Sequence, residues 1–202
     1  MKQAGILNVE MGSKTKYINQ QIKHTNNKAN NARYKCLYFN ARSLVNKIKE
    51  LELLVKSENA DIIGVTETWL NTNILDSEMS MEGYSLLRKD RSDNRRGGGV
   101  ALYIRNDINF IYCEHLIETE FPESLFCSII CDKERTLIGV CYRPPNSLAV
   151  SDRALFSLLN KVRKDRLIVM GDFNYPEIKW SEPELLSDSH PFLKCLNDNF
   201  LE

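Results

Sequence analysis

Neither charge is in surplus: 27 lysines and arginines face 27 aspartates and glutamates. A chain balanced in this way has no global field to draw it onto nucleic acid or an anionic membrane, so any such attraction must be local. Long uncharged apolar runs are missing, which excludes a membrane-spanning helix, and nothing near the start resembles the apolar core of a secretory signal. We therefore expect an intracellular protein with no membrane partner, nuclear entry remaining open. Histidine is scarce, at three residues, and His24 and His115 read as solvated side chains. The six cysteines fall mostly inside apolar segments, where reduced thiols act as small hydrophobes. Cys127 and Cys131 are four apart but lie in the strand-like run LFCSIIC, with no second pair to complete a zinc site.

What is present is ordinary for a globular protein: 43% apolar and 27% charged residues in a chain of 202, a length that suits one domain and a short appendage. The appendage is residues 1–34, a polar basic leader rich in Asn and Gln. Through residue 35 it carries Lys2, Lys14, Lys16, Lys23, Lys28, Arg33 and Lys35 against Glu10 alone. We expect it to be disordered, although an import signal or a nucleic-acid arm has the same composition.

The remainder, 35–202, reads as an ordered set of elements. Cys36 to Phe39 is a short apolar run suited to a buried strand, and apolar residues at 44, 45, 48, 51, 54 and 55 give helical spacing that Ser43 can cap. Ile62 to Val65 is a second strand. A loop or short helical excursion over 71–82 precedes a strand at Tyr84 to Leu87 and a basic turn running from Arg88 to the triple glycine 97–99. Alternation over Val100 to Arg105, Leu125 to Cys131 and Thr136 to Tyr142 predicts a meander with a hairpin turn at 132–134. Helical spacing returns between Asp152 and Val162, followed by a strand at Leu167 to Met170, the loop Gly171 to Asn174, and a helix from Pro191 to Leu201. This order predicts an α/β protein with a mixed sheet system and helices outside it.

Four of the predicted strands deliver a polar residue where they end: Asn40, Glu67, Tyr142, and the pair Asp172 and Asn174. Ligands of layered α/β folds bind beyond strand ends, because the sheet fixes the side chains while the loops leave room. Glu67 is a hard oxygen donor and Asn40 adds a carbonyl oxygen, with no His or Cys beside them. Such a set suits Mg²⁺ or Mn²⁺, which keep their waters and need few protein carboxylates. Asp172 is placed to activate water, and Asn174 and Tyr142 to donate to phosphate oxygens, which is the apparatus of phosphodiester hydrolysis. Each residue also has a plain structural role open to it: turn capping for Asp172 and Asn174, core packing for Tyr142, a strand stop for Asn40.

The ordered motifs NARSL (40–44), TETWL (66–70), GGGVALYIR (97–105), YRPPN (142–146) and GDFN (171–174) together resemble the endonuclease/exonuclease/phosphatase family. TETWL, GGGVALY and YRPP are similar to the apurinic-site-like endonucleases of non-LTR retrotransposons in particular. The resemblance implies a four-layer sandwich of two mixed β-sheets flanked by helices. It further implies a Mg²⁺-dependent DNA endonuclease, with Glu67 as metal ligand, Asn40 beside it, Tyr142 on the scissile phosphate, Asp172 activating water and Asn174 stabilising the transition state.

This chain departs from the family's pattern twice. Where apurinic-site enzymes carry an acid two positions after the Asn, it has Arg42, which argues against apurinic-site specificity and suits a phosphate contact. Only 28 residues follow Asn174, so we expect the sandwich to be incomplete at the C-terminus and to lack the family's catalytic His, which would impair the hydrolase activity. His190 opens a predicted helix and reads as its cap. Arg95 and Arg96, in the basic turn, are candidate contacts to DNA phosphates. Two other functions remain open, a catalytically inactive nucleic-acid-binding remnant and a hydrolase of small or lipid phosphoesters. No segment singles out a protein partner.

Overall fold

A computed structural model describes residues 5–8, for their backbone, and residues 34–92, 97–113, 116, 121–131, 134–162, 166–178 and 190–199. Its strands form two mixed sheets. The first has four strands in the order β2 (Cys36–Asn40), β3 (Ile62–Thr66), β5 (Val100–Arg105), β4 (Tyr84–Lys89). β2 runs parallel to β3, and β5 runs antiparallel to both of its neighbours. The second sheet has five strands in the order β1 (Gly5–Asn8), β9 (Arg166–Asp172), β8 (Glu134–Tyr142), β7 (Ser124–Cys131), β6 (Phe110–Tyr112). Here β1, β9 and β8 are mutually parallel, and β7 and β6 return antiparallel.

The alternation of side chains along each strand sorts the core into layers. Cys36 and Tyr38 of β2 and Val100, Leu102 and Ile104 of β5 meet Leu125, Cys127, Ile138, Val140, Ile168 and Met170 of the second sheet in one buried middle layer. The opposite faces of the first sheet, Leu37, Phe39, Ile63, Val65 and Tyr103, pack on α1 (Ile48–Glu58) through Leu51 and Val55. The outer face of the second sheet, with Phe126, Leu137, Leu167 and Val169, is covered by α2 (Ala149–Val162) and α3 (Pro191–Asp198). Helix, sheet, sheet and helix pair therefore make the expected four-layer sandwich.

Two glycines allow close approach inside this stack. A side chain at Gly139 would run into the Phe126 ring opposite it in the register, and one at Gly171 into the backbone of Cys141.

The structure differs from the sequence reading at several places, among them the end of β4, which runs through Arg88 and Lys89 of the expected turn, and the start of α2, at Ala149 rather than near Asp152. Gly5–Asn8, within the leader expected to lack structure, is the edge strand β1, where pairing with β9 satisfies its backbone groups; the leader's other residues up to 33 lie outside those described. The helix expected from Leu44 begins at Ile48. Ser43, at φ 87°, is not a cap: the Ser43 and Leu44 amides donate to the Glu67 and Thr68 carbonyls, at 3.0 and 2.9 Å, so this stretch belongs to a turn against β3. Strand β6 was not anticipated, being only three residues long. The expected meander is split, since β5 pairs with β3 and β4 rather than with β7. Finally, β9 extends through Gly171 and Asp172.

The cysteines at 36, 113, 127, 141 and 195 are all buried and unpaired, as core thiols should be. Among the described residues no helix is long and apolar enough to cross a membrane.

Candidate active site

The polar strand ends converge. Asn40, the last residue of β2, donates from Nδ2 to Glu67 Oε1 at 3.1 Å and to Asp172 Oδ2 at 3.0 Å. One amide thus bridges a carboxylate of each sheet. Tyr142 closes β8 directly opposite Asp172 in the parallel register. Beneath the cluster, the hydroxyls of Tyr38 and Thr66 share a buried hydrogen bond of 2.6 Å.

Glu67 follows β3 in a left-handed backbone, φ 51°, as does Trp69 at φ 55°. Side chains disfavour this conformation, so the turn must be held from outside. Two segments hold it. The 41–44 turn donates to its carbonyls, and Gly98 and Gly99 accept from Trp69 N at 3.0 Å and Thr68 N at 3.3 Å. Gly99 itself sits at φ 80°, and a side chain there would strike Thr68 Oγ1, which gives the triple glycine its purpose. The second Glu67 oxygen accepts from the Trp69 indole N–H at 3.3 Å.

Asp172 is 3% exposed, and burial pushes its carboxyl up to about 6. Bonds from the Asn174 side chain and backbone and from Asn40 pull the other way, while the charge of Glu67 adds to the rise. A carboxylate poised there is suited to proton transfer near neutrality. Burial likewise raises the Tyr142 phenol, with the Glu67 and Asp172 charges contributing, so that it stays protonated as a donor. Asn174, at φ 48°, donates from Nδ2 to the Arg143 carbonyl at 2.8 Å.

Several participants carried little or no signal in the sequence. Glu123, 7% exposed, accepts from Arg91 Nε at 2.6 Å and from Gly99 N at 2.7 Å, and its carbonyl accepts from Tyr142 N at 2.8 Å. It ties the basic turn to the end of β8, with the Arg91 guanidinium over the Tyr142 ring. Arg88 bonds Asp76 at 3.0 Å and Asp90 at 3.4 Å. Arg88 and Arg91 therefore serve internal ion pairs. Arg95 and Arg96 lie outside the described residues. Arg42 is exposed in the turn after β2, at φ 44°.

His190 caps α3, its Nδ1 accepting from Phe192 N at 3.2 Å while Nε2 faces Glu177 at 2.9 Å. This is the capping role read from the sequence. Among the described residues there is no group of three or more His, Cys, Asp or Glu side chains that would hold a metal.

Fold and site define a class, a two-sheet α/β sandwich in which an amide and two carboxylates meet at strand ends contributed by both sheets. The sequence matches the Endonuclease/Exonuclease/phosphatase family over residues 8–190, and the chain belongs to that family. Among solved structures it is similar to the endonuclease domain of TRAS1, a telomere-specific non-LTR retrotransposon, with 14% identity and a TM-score of 0.57 over 82% of this chain and 70% of that one. It is also similar to the AP endonuclease LMAP from Leishmania major, with 17% identity and a TM-score of 0.55 over 68% of this chain and 54% of the other. A third likeness is to the 3′ phosphatase NExo from Neisseria bound to a product DNA hairpin, at 16% identity, TM-score 0.53, and 83% and 70% coverage. The chain thus spans between 54% and 70% of these three structures. No curated protein sequence matches.

Proposed function

We propose that this chain is a metal-dependent phosphodiester hydrolase acting on DNA. The observation that carries the reading is the bridge from Asn40 to both Glu67 and Asp172, which gathers two oxygen acids at one point between the sheets. The donor set fits a hard divalent cation, Mg²⁺ or Mn²⁺. Besides the Glu67 carboxylate, Asn40 Oδ1 is a buried acceptor with no hydrogen-bond partner, which a cation would satisfy. Glu67 and Asn40 would hold the ion, which when bound neutralises charge on a phosphate oxygen.

The chain's own residues supply the rest. Asp172 takes a proton from the attacking water, its raised affinity for protons matching that task. The protonated Tyr142 phenol donates to the phosphate. Asn174 orients Asp172, and its side-chain N–H shared with Asp172 turns to a phosphate oxygen as the transition state forms while the other stays on the Arg143 carbonyl. Arg42, exposed beside Asn40, and Arg95 and Arg96 of the basic turn are assigned to the DNA backbone, a role that the endonuclease names of the TRAS1 and LMAP structures and the DNA hairpin bound in the NExo structure favour.

One observation favours a second reading, a DNA-binding protein without turnover: His190, the histidine closest in sequence to the GDFN loop, is engaged as a helix cap. Nicking of supercoiled plasmid, with and without Mg²⁺, separates the two. Metal-dependent nicking, lost in Glu67→Ala and Asp172→Ala, is the expected result. Salt-sensitive DNA binding without nicking by folded protein would instead establish the second reading.

A further inference from the structure

Arg143 follows Tyr142, and its side chain turns inward. It is 6% exposed, an unusual place for a guanidinium unless the fold uses its donors. Nε donates to Asp152 Oδ1 at 2.7 Å and Nη2 lies 3.4 Å from Oδ2, pinning the residue to the first turn of α2. Nη1 donates to the carbonyls of Phe173, at 3.3 Å, and Asn174, at 2.8 Å. The guanidinium lies over the Tyr175 ring, 4.0 Å from its centroid, and the Tyr175 hydroxyl donates to Asp152 Oδ1 at 3.0 Å. The backbone of Arg143 joins in, its N–H donating to the Asp172 carbonyl at 2.8 Å and its carbonyl accepting from Asn174 Nδ2 at 2.8 Å.

We propose that Arg143 is a positioning residue that, with Asp152 and Tyr175, fixes the left-handed turn carrying Asn174 and so aims the Asn174 amide at Asp172. The assignment of a catalytic role to Asn174 rests on the hydrolase reading; the fixing of the turn does not. A turn at φ 48° directs consecutive carbonyls toward the interior, where each needs a donor. Only a planar fork can serve two carbonyls and a carboxylate at once. Lysine at this position keeps one positive charge and three N–H donors, but all on one nitrogen, so it cannot reach acceptors that Arg143 meets from Nε, Nη1 and Nη2 across the width of the fork. Behind the turn, Phe173 and Tyr175 pack on Phe192 at 5.0 and 4.7 Å between ring centroids. That packing fixes the outer side of the turn and leaves its inner side to Arg143.

The test is hydrogen exchange of the Asn174 backbone amide, which is bonded to the Asp172 carboxylate, in wild type, Arg143→Lys and Arg143→Met, alongside nicking kinetics. We expect exchange at Asn174 to rise at least about 10-fold in both variants while amides in the middle of β8 and β9 keep their protection. We also expect kcat to fall by about 100-fold with KM within about twofold of wild type. If neither arginine variant folds, Asp152→Asn and Tyr175→Phe loosen the clamp without removing Arg143 and should show the same selective rise, reduced in size. Unchanged exchange at Asn174 in a folded Arg143→Met protein, or full retention of kcat in Arg143→Lys, overturns the inference. A wild type that does not nick would remove the hydrolase reading, and the exchange comparison would still decide whether Arg143 holds the turn.

Discussion

At the scale of single residues, Asp172 carries a cost of burial that its proposed part in proton transfer would explain. Its carboxyl is raised from an ordinary value near 4 to about 6 by burial, so the ionised form is disfavoured in the folded state. Below the unfolded value both states are protonated and the cost is absent; as pH rises through 6 it becomes complete. We therefore expect Asp172→Asn to stabilise the protein by about 2 kcal/mol at pH 8, with the gain fading toward pH 4. Urea denaturation across that range checks it, and a gain that grows toward acid pH would contradict the burial argument. Some residues of the cluster were visible in the sequence because a polar side chain ending an apolar run stands out. Glu123 and Arg143 were not, since their significance lies in partners 32 and 31 positions away, Arg91 and Asn174, and nothing local marks such pairs.

At the scale of elements, the apolar runs of β2, β3, β5, β7, β8 and β9 were legible, as were the amphipathic stripes of the helices. What local pattern cannot give is the choice of neighbour. β5 has the same alternation as β7, yet it joins the other sheet because its partners are fixed by long-range pairing. The start of α1 was misplaced for a related reason, its first apparent turn being recruited to support Glu67. The glycines that close this support make a direct comparison. Gly99→Ala, strained at φ 80° and directed at Thr68 Oγ1, should cost about 2 kcal/mol, whereas Gly83→Ala, at φ 84° with nothing within 4 Å, should cost about 1 kcal/mol from backbone strain alone. Equal losses in chemical denaturation would mean that the approach of the glycine loop to Thr68 does not matter.

At the scale of the whole molecule, the middle layer determines whether the site exists, because Asn40 and Glu67 come from one sheet and Tyr142, Asp172 and Asn174 from the other. Leu102 is fully buried in that layer and is not one of the candidate site residues. Leu102→Ala should nevertheless destabilise the protein by about 2–5 kcal/mol. It should also lower protection of β3 and β8 amides together, which hydrogen exchange would read; loss confined to β3 would show that the sheets open independently.

The division between the sheets also follows the order of the chain. Strands β2 to β5 occupy residues 36–105 and build one sheet, while β6 to β9 occupy 110–172 and build the other; among the described strands only β1 breaks this order, joining the second sheet from the N-terminal side. Cutting the polypeptide between Arg105 and Phe110 would therefore yield two pieces, one bearing Asn40 and Glu67 and the other Tyr142, Asp172 and Asn174, so that neither holds the whole candidate site. On the proposed hydrolase reading, nicking recovered on mixing them would serve as a complementation signal, and the chain would become a reporter of its own assembly.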